Sequence, residues 1–130
     1  GFIGSPSMNL FEGRVRDDGQ GIELPGGDIM PMPEDADGAH ARKAVTVGVR
    51  PEHMEIAPEG RGTIDLTVDV IEELGADTII HGQFGKTRTD ISLRVQGLRA
   101  AKSGDVLPLN IAPAHIHVFD GEAGRRLGLK

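Results

Sequence analysis

Histidines close to carboxylates are the first residues of this sequence that could carry chemistry. His115 and His117 are one residue apart, so both imidazoles would leave the same face of a strand, and Asp120 follows them. His53 and Glu55 share that spacing. Two imidazoles and a carboxylate are donors that divalent metal ions prefer. The remaining ligand, however, would have to come from an unknown distance. Polar residues on the solvent face of an edge strand explain the pattern without a metal ion. We therefore predict no metal site.

Nucleotide binding and serine catalysis need motifs that this sequence does not complete. Residues 82–87 end in Gly-Lys-Thr, as a phosphate-binding loop does, but Ile80 stands where that motif requires its first glycine. The segment also joins two predicted strands, which favours a hairpin turn. No Gly-x-Ser-x-Gly elbow occurs, and the serines fall in predicted turns or on a solvated strand face: Ser5, Ser7, Ser92 and Ser103. We expect no catalytic residue and no cofactor in this chain.

Composition narrows the class of protein further. The chain has 130 residues, with 14 basic and 20 acidic side chains and a net charge of -6. A phosphate-backbone binder needs a basic face, so this balance argues against a nucleic-acid partner. The absence of cysteine excludes disulfides and thiolate zinc sites. We find no apolar run long enough to span a bilayer and no apolar leader, so we expect a soluble domain.

Alternating apolar and polar residues predict the elements that position these side chains. Residues 63–71 and 88–95 each alternate with period two, which is typical of a strand with one buried face. Residues 78–84 lie between them, and turns at Gly75 and Gly85 connect the three segments into an antiparallel meander. We expect these inward-facing apolar residues: Ile64, Leu66, Val68, Val70, Ile80, Phe84, Ile91, Leu93 and Val95.

Shorter strands are predicted on both sides of the meander. They are residues 44–49, 106–111 and 115–119, with a hairpin formed by 8–15 and 21–24. Pro108 lies inside one of them, which suggests an edge strand or a bulge, because proline cannot donate to a sheet. Helix is confined to single turns, after Pro51 and within residues 97–102. With 19 glycines and eight prolines, the chain is predicted to be an all-β sandwich or barrel.

Residues 25–41 differ from the rest of the chain. They crowd glycine, proline and aspartate into a stretch with almost no apolar periodicity. Such a composition predicts a long surface loop, which we expect to be mobile. We find no internal repeat and no second domain, so residues 1–130 are expected to form one domain.

Several phrases together carry a family resemblance. They are residues 1–9 (GFIGSPSMN), 48–53 (GVRPEH), 71–78 (IEELGADT), 117–120 (HVFD) and 124–127 (GRRL). In this order and spacing they resemble the C-terminal portion of ABC-importer ATPase subunits of the carbohydrate and glycerol-3-phosphate, maltose-importer type. That portion is called the transport-associated OB (TOBE) domain. The resemblance covers nearly the whole chain and implies an antiparallel OB-like, Greek-key barrel of the TOBE/MOP kind, with single helical turns only.

The resemblance also implies a function. Family members hydrolyse ATP, with magnesium, through Walker A, signature and Walker B motifs, and this sequence contains none of the three. The chain is therefore expected to be a non-catalytic C-terminal domain from which the nucleotide-binding domain is absent. The implied partners are a second copy of the subunit, membrane permease subunits that bind through the missing domain, and a regulatory protein. The implied location is cytoplasmic, at the inner membrane as part of a transporter complex.

The phrases at strand ends are where we expect the family's self-association surface. They place Arg50, Glu52 and His53 at one corner and Glu72 and Glu73 at a turn. Since domains of this family meet across a two-fold axis, Arg50 of one copy could pair with Glu72 or Glu73 of the other. An alternative is a small-ligand module that binds an oxyanion or a sugar, because TOBE-type domains of molybdate systems bind oxyanions. Against it, residues 82–87, where glycine, lysine and threonine occur together, are predicted to form a hairpin turn.

Overall fold

Strands dominate the protein. The computed structural model describes residues 7–33, 41–58, 60–85, 87–97, 100–120 and 126–127. Within those residues the ordered elements are strands and two 3-10 turns, Pro51–His53 and Pro113–His115. The strands are β1 (Asn9–Val15), β2 (Ile22–Glu23), β3 (Ile29–Met30), β4 (Ala44–Val49), β5 (Met54–Ile56), β6 (Ile64–Glu73), β7 (Asp77–Phe84), β8 (Asp90–Gln96), β9 (Val106–Ile111), β10 (His117–Asp120) and β11 (Arg126–Leu127). The predicted all-β class is confirmed.

Two antiparallel sheets form a nearly closed barrel. One sheet has the order β11-β10-β4-β1-β2-β3, and the other has the order β5-β9-β6-β7-β8. The second sheet curls until β8 lies beside β5, and β8 also contacts β1 of the first sheet. Strands distant in sequence pair with each other, such as β4 with β10 and β5 with β9, so the connections cross as in a Greek key. The expected OB-like barrel is confirmed.

One apolar core fills the space between the sheets. Phe11 of β1 meets Phe84 of β7 edge to face, with ring centroids 5.4 Å apart. Each buried aromatic side chain stabilises the fold by about 1.5–3 kcal/mol relative to exposure. The predicted inward faces hold for the greater part of the meander and for β4. The buried residues there are Ile64, Leu66, Val68, Ile80, Phe84, Ile91, Leu93, Val45, Val47 and Val49.

The far half of β6 departs from the predicted alternation. Val70 was expected to face inward, but it is 47% exposed. The cause is a break in the pairing of β6 with β7 between Val68 and Val70, where an extra residue shifts every later side chain to the opposite face. Ile71 consequently takes the inward place and packs against the core. The expectation for Val70 was wrong because a bulge leaves no trace in a simple count of apolar positions.

Pro108 lies in a strand that has neighbours on both sides. β9 is hydrogen-bonded to β5 and β6, so it is not the edge strand that proline suggested. The carbonyl oxygen of Pro108 accepts a hydrogen bond from the N–H of Ala57, at 2.8 Å. Ala57 follows the last residue of β5, and the nitrogen and oxygen of one strand residue point the same way. The nitrogen of Pro108, which has no hydrogen to donate, therefore faces the end of the short strand β5.

Part of the segment 25–41 is ordered into a hairpin. β3 pairs with β2 through Ile29 and Met30, and Met30 is fully buried. The connecting turn is closed by the N–H of Leu24, which donates to the carbonyl of Asp28 at 2.8 Å. Residues 34–40 lie outside the described residues. The loop prediction thus overlooked one short strand, and the mobility of the segment stays a prediction.

Candidate functional site

The corner after β4 is shaped by its proline. Arg50 has extended backbone angles (φ -72°, ψ 146°), as a residue before proline prefers, and Pro51 opens a 3-10 turn. The N–H of His53 donates to the carbonyl of Arg50 at 3.0 Å and closes that turn. Pro51 is buried, while Arg50 and Glu52 are exposed. The predicted helical turn is confirmed, and it displays two opposite charges on a fixed backbone.

The turn between β6 and β7 carries the second set of predicted residues. It is closed by the N–H of Leu74, which donates to the carbonyl of Asp77 at 2.8 Å. Glu73 is exposed. Glu72 is half-buried, and its Oε1 lies 3.3 Å from Nε2 of His81. Glu72 therefore already has a partner within its own chain, which leaves Glu73 as the more available carboxylate.

A cleft shows how the corner and the turn are related in space. It has a volume of about 560 Å³ and lies where β5 and the first 3-10 turn face β7 and β8. Glu52 lines it together with Asp77, which follows the β6–β7 turn. Arg94 lies there too, with Nη2 2.6 Å and Nε 2.8 Å from Oδ2 of Asp77. The predicted residues thus lie at one end of the barrel, but no ion pair among the described residues joins Arg50 to Glu73.

His53 takes part in a contact that the sequence did not reveal. Its ring stacks on that of His115, with centroids 3.9 Å apart and planes inclined by 14°. Nδ1 of His53 is buried and finds no hydrogen-bond partner within the described part of the chain. The two histidines occupy equivalent places, each as the last residue of a proline-initiated 3-10 turn. The sequence signal for this similarity was a repeated spacing, in which a proline stands two residues before each histidine.

The structure separates the residues considered for a metal ion. His115 ends the second 3-10 turn and β10 begins only at His117, so the two side chains do not leave one strand face. Asp120 is buried and its carboxylate lies 2.6 Å from Nζ of Lys43. Stacked parallel imidazoles cannot both direct nitrogen lone pairs at one ion, which also disfavours His53 with His115. Among the residues that the structure describes, no three candidate ligands converge.

Three polar side chains form a chain across neighbouring strands. Oγ of Ser92 lies 2.9 Å from Nδ1 of His81, whose other nitrogen faces Glu72. The order resembles a catalytic triad, but Ser92 is only 9% exposed. Its backbone N–H is also engaged, because it donates to Oδ1 of Asn9 at 2.8 Å. A nucleophile needs free donors beside it to stabilise an oxyanion, so this chain of contacts is structural.

The segment that ends in Gly-Lys-Thr is a hairpin turn. The N–H of Thr87 donates to the carbonyl of Phe84 at 2.9 Å, and Gly85 has a positive φ of 54°. The turn connects β7 to β8 rather than a strand to a helix, as a phosphate-binding loop requires. Lys86 lies outside the described residues. The prediction of a turn at this place is confirmed.

The described residues form a small antiparallel barrel of the OB kind, with a charged corner and turn at one end. The chain belongs to the TOBE domain family, whose family model matches residues 47–119. A second model, for the MalK OB fold domain, matches residues 4–54. The family resemblance seen in the sequence is confirmed.

Bacterial import ATP-binding proteins are similar to almost the whole chain. An sn-glycerol-3-phosphate import ATP-binding protein UgpC of Salmonella choleraesuis is 42% identical over 126 residues, which are 97% of this chain. The protein of the same name from Escherichia coli is 38% identical over the same length. The chain spans 35% of the length of these relatives. It therefore corresponds to one part of these import ATP-binding proteins.

A solved structure shares the fold. The cytoplasmic molybdate-binding protein ModG superposes with a TM-score of 0.65, at 18% sequence identity. The match covers 89% of this chain and 98% of that one. At this identity the likeness concerns the fold alone. Separately, the described residues include no helix with the length and apolar character that a membrane span requires.

Proposed function

We propose that this chain is the non-catalytic regulatory and dimerisation domain of the ATP-hydrolysing subunit of an ABC importer. The observation that supports this most strongly is the TOBE family match together with 42% identity to UgpC. The solute would be a sugar or a compound like glycerol 3-phosphate. ATP and magnesium would be bound by the rest of the subunit, which would also contact the membrane permease from its cytoplasmic side.

The proposed self-association surface includes residues from the corner 48–53 and the turn 72–75. A two-fold contact must be self-complementary, so a cation and an anion have to lie at one end of the same domain. Arg50 and Glu73 are both exposed, and neither forms an ion pair among the described residues. Each exposed pair is worth about 0–1 kcal/mol, and a dimer would form two of them. The isolated domain should therefore dimerise weakly and rely on the rest of the subunit for stable association.

Charge reversal tests this surface. Arg50→Glu and Glu73→Arg should each weaken self-association in sedimentation equilibrium at rising concentration, and the double variant should recover part of the loss. Arg61→Glu is the matched control, because Arg61 is exposed and precedes β6 at the end opposite to Glu73. Equal association of the wild type and all variants would show that the surface lies elsewhere.

The alternative function is small-ligand binding, as in the molybdate-binding protein that shares the fold. One cleft, of about 610 Å³, contains Arg14 and Arg16, but four carboxylates share its lining: Glu12, Asp17, Asp18 and Glu23. Excess negative charge there disfavours an oxyanion. A thermal-shift screen with molybdate, sugars and sugar phosphates separates the two functions, since a saturable rise in Tm would support the alternative.

A further inference from the structure

The stacked rings of His53 and His115 lie between two corners of the barrel, beside the paired strands β5 and β9. One corner joins β4 to β5 and the other joins β9 to β10, and the rings lie 3.9 Å apart between them. A cleft of about 330 Å³, lined also by Glu55 and Asn110, opens beside the rings. Contact between the two corners therefore combines the pairing of β5 with β9 and the stacking of two side chains of a type that can change charge near physiological pH.

We infer that this stack is a pH-sensitive latch, closed while the two rings share no more than one proton and opened when both are protonated. Neutral rings attract one another, and a single protonated ring can lie over the face of the other as a cation on a π system. Two protonated rings would place like charges at the observed separation of 3.9 Å. The evidence for the latch is the ring stack and its surroundings, and the latch does not require the proposed self-association.

Protonation meets a second obstacle at His53. Its Nδ1 is buried, and no described polar atom lies within hydrogen-bond distance. A proton on Nδ1 would create a buried donor without an acceptor, which is unfavourable in the folded state but costs nothing in the unfolded chain.

The charged groups around the latch do not neutralise the two positive charges of a doubly protonated stack. Glu55, from β5, is the carboxylate that shares the cleft, and it can offset one positive charge. β9 contributes Asn110, which is uncharged. β8 packs against the first 3-10 turn and brings Arg94, whose charge Asp77 already neutralises. Glu52, on the turn itself, is exposed to solvent.

A double-mutant cycle on the 130-residue chain isolates the latch from the other histidines. Thermal unfolding of the wild type, His53→Gln, His115→Gln and the double variant is followed at about pH 7.5 and about pH 5.5, on either side of the usual histidine range. We expect the wild type to lose about 3–6 °C more in Tm on acidification than the double variant. The coupling between the two positions should be favourable at the higher pH and vanish or reverse at the lower pH.

A phenylalanine variant separates stacking from charge. His115→Phe keeps an aromatic ring on His53 but takes up no proton, so its Tm at about pH 7.5 should stay near that of the wild type, while its loss on acidification should lie between those of the wild type and the double variant. If the glutamine variants fold poorly, comparing His115→Phe with the wild type at both pH values still tests the latch. Coupling that is equal at both pH values, or a His115→Phe protein as acid-sensitive as the wild type, would overturn the inference.

Discussion

The side chain of Asn9 completes the backbone hydrogen bonding of Ser92. Nδ2 of Asn9 donates to the carbonyl of Ser92 at 2.9 Å, and Oδ1 accepts the N–H of Ser92 at 2.8 Å. Asn9 opens β1 in one sheet and Ser92 lies in β8, the edge strand of the other. One amide thus acts as a substitute strand partner, and it fastens the two sheets to each other at the edge of the barrel.

Removing this amide should destabilise the protein markedly. Asn9→Ala leaves a buried N–H and a buried C=O of Ser92 without partners, and each costs about 1–3 kcal/mol. We expect the free energy of unfolding, measured by urea denaturation, to fall by about 2–6 kcal/mol. Leu10→Ala is the control, because Leu10 is 54% exposed and its loss should change stability little. A change for Asn9→Ala no larger than the control's would show that water replaces the amide.

A glycine permits the bulge in β6. Gly82 pairs with Val68 where the register shifts, and a Cβ on Gly82 would clash with the backbone oxygen of Thr67. Backbone cannot move aside as a flexible side chain can, so Gly82→Ala should cost at least about 4 kcal/mol or prevent folding. Gln83→Ala, at the exposed neighbouring position, should stay within about 0.5 kcal/mol of the wild type in the same denaturation experiment. A well-folded Gly82→Ala protein of normal stability would contradict this role.

The alternation of side chains made most of the barrel predictable from sequence. β4 and β9 were predicted with their observed bounds, because a half-buried strand must alternate apolar and polar residues. The outward orientation of Val70 was not predictable, since it depends on a bulge that Gly82 on the neighbouring strand permits. β3 was missed because a two-residue strand carries no period.

The candidate site was predictable only in part. Proline fixed the corner at Arg50, so the single helical turn there was predictable from sequence, while the part of that corner in self-association stays a prediction. The stack of His53 on His115 and the contact between Ser92 and His81 join residues from separate elements. Pairings of that kind depend on which strands become neighbours, and local pattern does not specify this.

The segment 25–41 should still be among the least protected parts of the chain in hydrogen exchange. Its described strand, β3, is two residues long and lies at the edge of its sheet, so few hydrogen bonds resist opening. We expect its amides to exchange well before those of β6 and β7, which are long and paired. The amide of Leu24, bonded across the turn, should be slower than its neighbours. Slow exchange throughout the segment would indicate that it is packed.

Asp28 gives the protein a pH dependence of a definite sign. Partial burial in the β2–β3 turn, and secondarily the negative charge of Asp65, raise the pKa of Asp28 above its ordinary value. The folded state then holds this proton more tightly than the unfolded chain does, so the stability that the group contributes is present at acid pH and is lost as the pH rises through the folded-state pKa. Asp28→Asn removes the charge and should raise Tm at neutral pH.

That gain should shrink as the pH falls below the pKa of Asp28, because the wild-type carboxyl is then neutral as well. The measurement is thermal unfolding of both proteins from neutral to acid pH. Asp65→Asn serves as the companion variant, since it removes only the secondary cause and should give part of the gain. A Tm difference between Asp28→Asn and the wild type that is constant across the pH range would show that the charge of Asp28 is not what the substitution relieves.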